Sequence, residues 1–116
     1  MAEETTMHST NHMRPGEILR PAQWVNYQDG AVVSRTVVRR SSGTITVFAF
    51  DAGQGLSEHT AAFDALVQIL EGQAEIVISG HAFRLASGEA ILLPAQQPHA
   101  VTALTAFKML LTMMRS

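Results

Sequence analysis

An all-β sandwich or barrel is the fold class this sequence predicts, on three observations. Seven short β-rich runs follow one another between Val32 and Met114, separated by glycine- and serine-containing turn chemistry. A length of 116 residues bounds the chain to one domain, and 47% hydrophobic residues suffice for its core without a covalent staple. In the last run Lys108 and Thr112 alternate with Met109, Leu111 and Met113, which is the period of two of a half-buried strand with its methionines turned inward.

Taken in order, residues 1–15 are polar, with little to bury, and read as an arm that is disordered or ordered only by a partner; residues 16–116 form the domain. His8 and His12 on that arm are given no role, because the serines, threonines and asparagine around them are poor helix formers. Trp24 and Tyr27 precede the first run, where aromatic side chains could anchor a second subunit. The predicted strands are residues 32–38, 44–50, 74–79, 82–85, 90–93, 100–104 and 107–114. Arg35, Arg39 and Arg40 flank the first of them and read as a solvated edge that discourages aggregation. One segment resists the scheme. In residues 61–71, Ala62, Ala65, Leu66, Ile69 and Leu70 fit an amphipathic helix capped by Gly72, while a strand there would have to be buried on both faces. Periodicity alone leaves the two alternatives open.

Composition excludes several classes of function. With 8 basic and 10 acidic residues, a formal charge of −2 and no long run of either sign, the chain has no track for a phosphate backbone, so nucleic acid is not an expected partner. The absence of cysteine removes disulfides, thiolate nucleophiles, iron–sulfur clusters and cysteine-zinc sites. No apolar stretch approaches the roughly 18 residues of a membrane span, and the polar start lacks an export signal's apolar centre, so a soluble cytoplasmic protein is expected. Nucleophile-elbow, phosphate-loop and dinucleotide fingerprints are all missing.

Three stretches carry a wider pattern: Gly53-Gln-Gly-Leu-Ser-Glu-His59, Val67-Gln-Ile-Leu-Glu-Gly72, and Gly88-Glu-Ala-Ile-Leu-Leu-Pro94-Ala-Gln-Gln-Pro98-His99. Together they resemble the two motifs of the cupin superfamily, in particular its small single-domain conserved-barrel (RmlC-like) members. The resemblance implies a double-stranded β-helix, or jelly-roll barrel, and makes residues 61–70 a strand despite their helical pattern. Gly72, Gly80 and Gly88 fall where hairpin turns need positive φ, and Pro94 where a strand must stop.

Laid on the first motif, the chain keeps Gly53, His59 and Gly72 but has Ala61 at the second histidine and Ala65 at the glutamate. The second motif keeps Gly88, Pro94 and His99 and has Gln96 for a glycine and Ala103 for an asparagine. The resemblance therefore implies a metal box reduced to His59 and His99. Two imidazoles leave most positions of a divalent ion to water, so nickel, zinc, manganese or iron would be held weakly if at all. Asp64, Glu58 and Gln68 are one residue out of phase along their strands and would need a bulge to turn inward. His59 and His99 should still converge, at the base of a mostly apolar pocket lined by Ala61, Ala65, Val67, Val101, Met109 and Leu111. Such a pocket suits a carboxylate, a carbonyl or an aromatic ligand, with the methionines as adaptable wall or as plain core.

Three classes of function follow, in this order. The first is a module that binds a small organic ligand without chemistry. The second is a metal-dependent dioxygenase- or isomerase-type enzyme using His59 and His99. The third is a metal-free enzyme resembling the superfamily's epimerases, with a histidine base and Tyr27, the sole tyrosine, as acid. The resemblance also implies a homodimer, as small barrels of this kind bury one sheet face against a twin.

Overall fold

The computed structural model describes residues 6–9 and 12–115. They form ten strands: β1 (Thr6–Ser9), β2 (Val32–Arg40), β3 (Gly43–Phe50), β4 (Gly55–His59), β5 (Ala65–Glu71), β6 (Gln73–Ile78), β7 (His81–Ala86), β8 (Ala90–Leu93), β9 (His99–Ala103) and β10 (Phe107–Met114), with one 3-10 turn at Pro21–Gln23. One sheet has the order β1-β2-β3-β10-β5-β8 and the other β4-β9-β6-β7. All pairings are antiparallel except β1 with β2. No helix of the described residues is long and apolar enough to cross a membrane.

The two sheets face each other across one core. Val32, Phe50, Val67, Ile69, Phe107 and Met109 of the larger sheet interlock with Ala74, Ile76, Val101 and Ala103 of the smaller. This is the layered solution for half-apolar strands, which must bury one face against another sheet. A second cluster lies on the outer face of the larger sheet, where Val25, Met13, Leu19 and Trp24 of the N-terminal segment cover Val37, Val47, Ala49, Leu70 and Leu110. Strand β5 is therefore buried on its inner face and covered at Leu70 on its outer one, where Gln68 stays exposed. Ala65, Val67 and Ile69 face the barrel at 4%, 0% and 2% exposure, while Leu70 packs outward under that segment.

Three boundaries differ from the sequence expectation. Strand β5 begins at Ala65, and residues 61–64 form the loop before it. Strand β4 has no counterpart among the predicted runs: it carries a single large aliphatic residue, Leu56, and its pairing with β9 slips between Leu56 and His59. Within the predicted arm, Thr6–Ser9 pair with Val32, Val33, Ser34 and Arg35 of β2, and Met13 donates its N–H to the Val37 carbonyl at 2.8 Å. Residues 1–5, 10 and 11 of that arm lie outside the described residues.

Chain connections give the barrel two distinct ends. Gly72 joins β5 to β6 at one of them, with φ +79°. A side chain at Gly72 would strike the Ala106 carbonyl and approach Phe107 Cα to 2.8 Å, so the turn needs glycine twice over. Gly80 and Gly88 also have positive φ, 82° and 90°. At the other end, residues 60–64 and 94–98 cross between sheets from His59 to Ala65 and from Leu93 to His99. Asp64 Oδ1 accepts the Ala95 N–H at 2.7 Å and the Ala61 carbonyl accepts the Gln96 N–H at 2.7 Å, tying these two crossings together.

Candidate functional site

Strands β4 and β9 end and begin at the crossing loops, and their register sets His59 opposite His99. The imidazoles meet edge to face with centroids 4.4 Å apart, and Nε2 of one lies 3.1 Å from Nε2 of the other. His99 is buried and His59 is exposed. Each Nδ1 faces a backbone carbonyl, Ser57 O at 2.7 Å for His59 and Gln97 O at 3.2 Å for His99. A carbonyl only accepts, so each Nδ1 facing one carries a hydrogen, and in the neutral ring Nε2 then keeps its lone pair. At 3.1 Å the two Nε2 atoms are close enough to bind one ion between them. Burial first, and then the neighbouring charge of His59, push the His99 pKa below the ordinary imidazole value.

The other predicted ligand positions offer nothing to complete a shell. Ala65 is packed in the core, Ala61 lies in the crossing loop, Glu58 and Gln68 are exposed, and Asp64 is engaged with Ala95. No group of three or more His, Cys, Asp or Glu residues that could hold a metal ion occurs among the described residues. A resident catalytic metal with three or four protein ligands does not fit this donor set.

Opposite the histidines, the inner face of β2, β3 and β10 opens into a cavity of about 480 Å³. It is lined by Ser34, Thr36, Thr44, Thr46, Phe48 and Met113, with Arg39 and Arg115 at its rim. The registers fix its location: Met113 pairs with both Thr44 and Ala65, and Ala65 pairs with Leu93, so the cavity lies at the end where the crossing loops run. Of the predicted pocket residues, Ala65, Val67, Val101 and Met109 are at most 4% exposed and Leu111 packs against them, all within the core cluster. The two methionines thus divide, Met109 into core and Met113 into cavity wall. Sequence reasoning missed the hydroxyl residues, although Ser34 and Thr36 already stand two apart in an otherwise valine-rich run.

Tyr27 lies elsewhere. Its hydroxyl donates to Glu71 Oε2 at 2.6 Å, beside Lys108, whose Nζ donates to the Ala22 carbonyl at 2.5 Å. Burial first, and then the bond to Glu71 and its charge, raise the tyrosine pKa far above its usual value. With Glu71 the last residue of β5, beside the Gly72 turn into β6, this network locks the N-terminal segment at the end remote from the imidazoles and supplies no acid to them.

The sequence profile described as cupin domain matches residues 46–114. Among solved structures, a conserved protein of unknown function from Streptococcus pyogenes is 39% identical, with a TM-score of 0.84 over 92% of this chain and 94% of that one. A cupin 2 conserved barrel domain protein from Leptotrichia buccalis is 38% identical, with a TM-score of 0.77 over 81% of this chain and 46% of that one. A cupin superfamily protein from Desulfitobacterium hafniense shares the fold at 24% identity, with a TM-score of 0.84 over 93% of this chain and 99% of that one. No curated protein matches the sequence.

Proposed function

The chain is a member of the cupin family, and from that premise we propose that it is a binding module for a small organic molecule taken into the open end of the barrel. The observation that carries this reading is the cavity of about 480 Å³ on the inner face of β2, β3 and β10. Its size falls in the ~300–1,000 Å³ range of small-molecule sites. The half-buried Thr44 and Thr46 offer hydroxyls to a ligand there, Phe48 and Met113 offer apolar contact, and the imidazole pair stands on the facing sheet. Methionine methyl resonances test it, because Met113 lines the cavity and Met109 is sealed in the core. Screening a set of small organic acids, alcohols and sugars should move the Met113 methyl and leave Met109 unmoved. A silent Met113 across the set would overturn the reading.

A second reading, a metal-dependent enzyme of dioxygenase or isomerase type, is favoured by one observation: the two imidazole Nε2 atoms lie 3.1 Å apart. Nδ1–H to carbonyl bonds of this kind are the usual way a ligating histidine is oriented. Against it stand the alanines at positions 61 and 65. Elemental analysis of the purified protein separates the two readings, and one tightly held equivalent of nickel, zinc, manganese or iron would put the enzyme first. Weak binding that rises by well over tenfold in the Ala61→His, Ala65→Glu double variant would fit a depleted site in a retained frame.

A further inference from the structure

Strand β2 carries its inner-face residues at even positions, Val32, Ser34 and Thr36, and its outer-face residues at odd ones, with Arg35 stacked over Trp24 at 3.7 Å and Val37 in the outer cluster. Continued at the same phase, Val38 would turn into the barrel and Arg39 out to solvent. A bulge intervenes. The register with β3 slips between Thr36 and Val38, so that Thr36 faces Thr46, Val38 faces Ile45 and Arg39 faces Thr44. Ile45 belongs to the outer cluster and Thr44 to the cavity, and Arg39 accordingly lines the cavity. Arg39 stays exposed, but one extra residue sets it on the cavity side of the strand instead of the outer side, which is how bulges re-aim side chains beside binding sites.

Arg115 reaches the same rim, its position fixed by the bond from its backbone N–H to the Ser42 carbonyl at 2.8 Å. None of the described residues lining the cavity is acidic. Two exposed guanidinium groups therefore stand at the rim of a broadly open hollow lined by hydroxyl residues, with no acidic residue among the described ones lining it. A guanidinium prefers a planar, bidentate anion, and a carboxylate matches its fork.

We infer that the ligand of the open end is a small organic acid whose carboxylate pairs with Arg39 at the rim, while its body rests on Phe48, Met113 and the threonine hydroxyls. This deepens, and rests on, the reading of the open end as a small-molecule site. Arg39 is the specificity-determining residue, and the bulge at Val37 is the device that positions it.

Calorimetric titration of the full chain with two matched pairs tests the assignment: benzoate against benzyl alcohol, and glutarate against 1,5-pentanediol. Each acid should bind more tightly than its alcohol, and more weakly as salt is raised, since a rim charge is only partly shielded from screening. Arg39→Gln should weaken acid binding at least tenfold while leaving alcohol binding unchanged. Arg40→Gln removes the same charge from the neighbouring residue, which lies on the opposite face, and should change neither. Arg39→Lys, which keeps the charge and loses the fork, should fall between and guards against misfolding of the glutamine variant. Equal losses in Arg39→Gln and Arg40→Gln, or acids bound no better than alcohols, would overturn the inference and leave the small-molecule site standing. Binding of neither class would overturn both.

Discussion

The two ends of this barrel are made from the same strands and differ in chemistry residue by residue. Along the inner face of β3 the order from the closed end is Phe50, Phe48, Thr46, Thr44; along β2 it is Val32, Ser34, Thr36, Arg39; along β10 it is Phe107, Met109, Leu111, Met113. At the closed end Phe50 and Phe107 stack with centroids 4.5 Å apart and are fully buried. At the open end the same strands offer hydroxyls, guanidinium groups and, from the facing sheet, two imidazoles. Half the barrel is spent on holding the sheets together, which frees the other half from having to be apolar. Fold and site are separable here, and substitutions at the two ends should have opposite signatures.

The largest expected effect is at the closed end. Phe50→Ala removes a fully buried ring from the centre of the core and from its stack on Phe107. A loss of about 3–5 kcal/mol is expected. That is a large part of the roughly 5–15 kcal/mol a domain of this size possesses. Urea titration should show the midpoint collapsing, and a loss below about 1 kcal/mol would mean that the core relaxes around the hole and the closed end is not the stabilising half.

Gly72→Ala probes the same end through the backbone. The residue has φ +79°, and the new Cβ would meet the Ala106 carbonyl with no flexible atom to yield. Left-handed backbone costs an L-residue about 1–2 kcal/mol before any clash, so the total should exceed about 2 kcal/mol by the same titration. Gly80→Ala has a similar φ of 82° and open space around its Cβ, and serves as the comparison that isolates the steric part. Equal costs at both positions would show that the close approach to the β9–β10 connection contributes nothing.

Most of this architecture is legible in the sequence, and the exceptions share one physical cause. A period of two finds strands whose two faces differ, so β2, β3 and β10 are recovered from residues such as Lys108 and Thr112 alternating with methionines and leucines. It fails for β5, where Leu70 outward and Val67 inward are both covered and the pattern imitates a helix. It fails for β4 too, where Leu56 alone marks a core face. The motif resemblance makes β5 a strand and implies the convergence of His59 and His99, whose Nε2 atoms lie 3.1 Å apart, but it assigns no strand to residues 55–59. What no single-strand pattern contains is a mismatch between two strands. The bulge that turns Arg39 inward is a count of β2 residues against β3 residues, and it changes the assigned face of every residue after it.

The open end should respond to pH where the closed end does not. His99 has a folded-state pKa lowered below its ordinary value of 6.5, chiefly by burial. The unfolded chain therefore takes up a proton on this residue more readily than the native one. Stability is fully present above about pH 6.5 and declines as the pH falls through that value toward the lowered folded pKa. Urea midpoints measured from pH 7.5 to 5.5 in the presence of a chelator should fall more steeply for the parent than for His99→Asn. Parallel slopes would place the acid sensitivity elsewhere, and a steeper slope in the variant would reverse the sign assigned to the burial of His99.

The smallest stability effect should accompany a clear loss of binding. Thr44 is half-buried at the cavity wall, where β3 begins opposite Arg39. Thr44→Val keeps the β-branched shape and the strand propensity while deleting one hydrogen-bonding group. A substitution away from the core normally shifts stability by no more than about 0.5 kcal/mol, and the added methyl gains a little from contact with Met113. A ligand oriented by that hydroxyl would lose one hydrogen bond, worth about 0.5–1.5 kcal/mol, or roughly two- to tenfold in affinity. Urea titration and calorimetry with benzoate on the same preparation decide the matter. Unchanged stability with weakened binding assigns the open end to the ligand, whereas a loss of stability above about 1.5 kcal/mol would show that its hydroxyls hold the barrel together and that the two ends are less separable than their composition indicates.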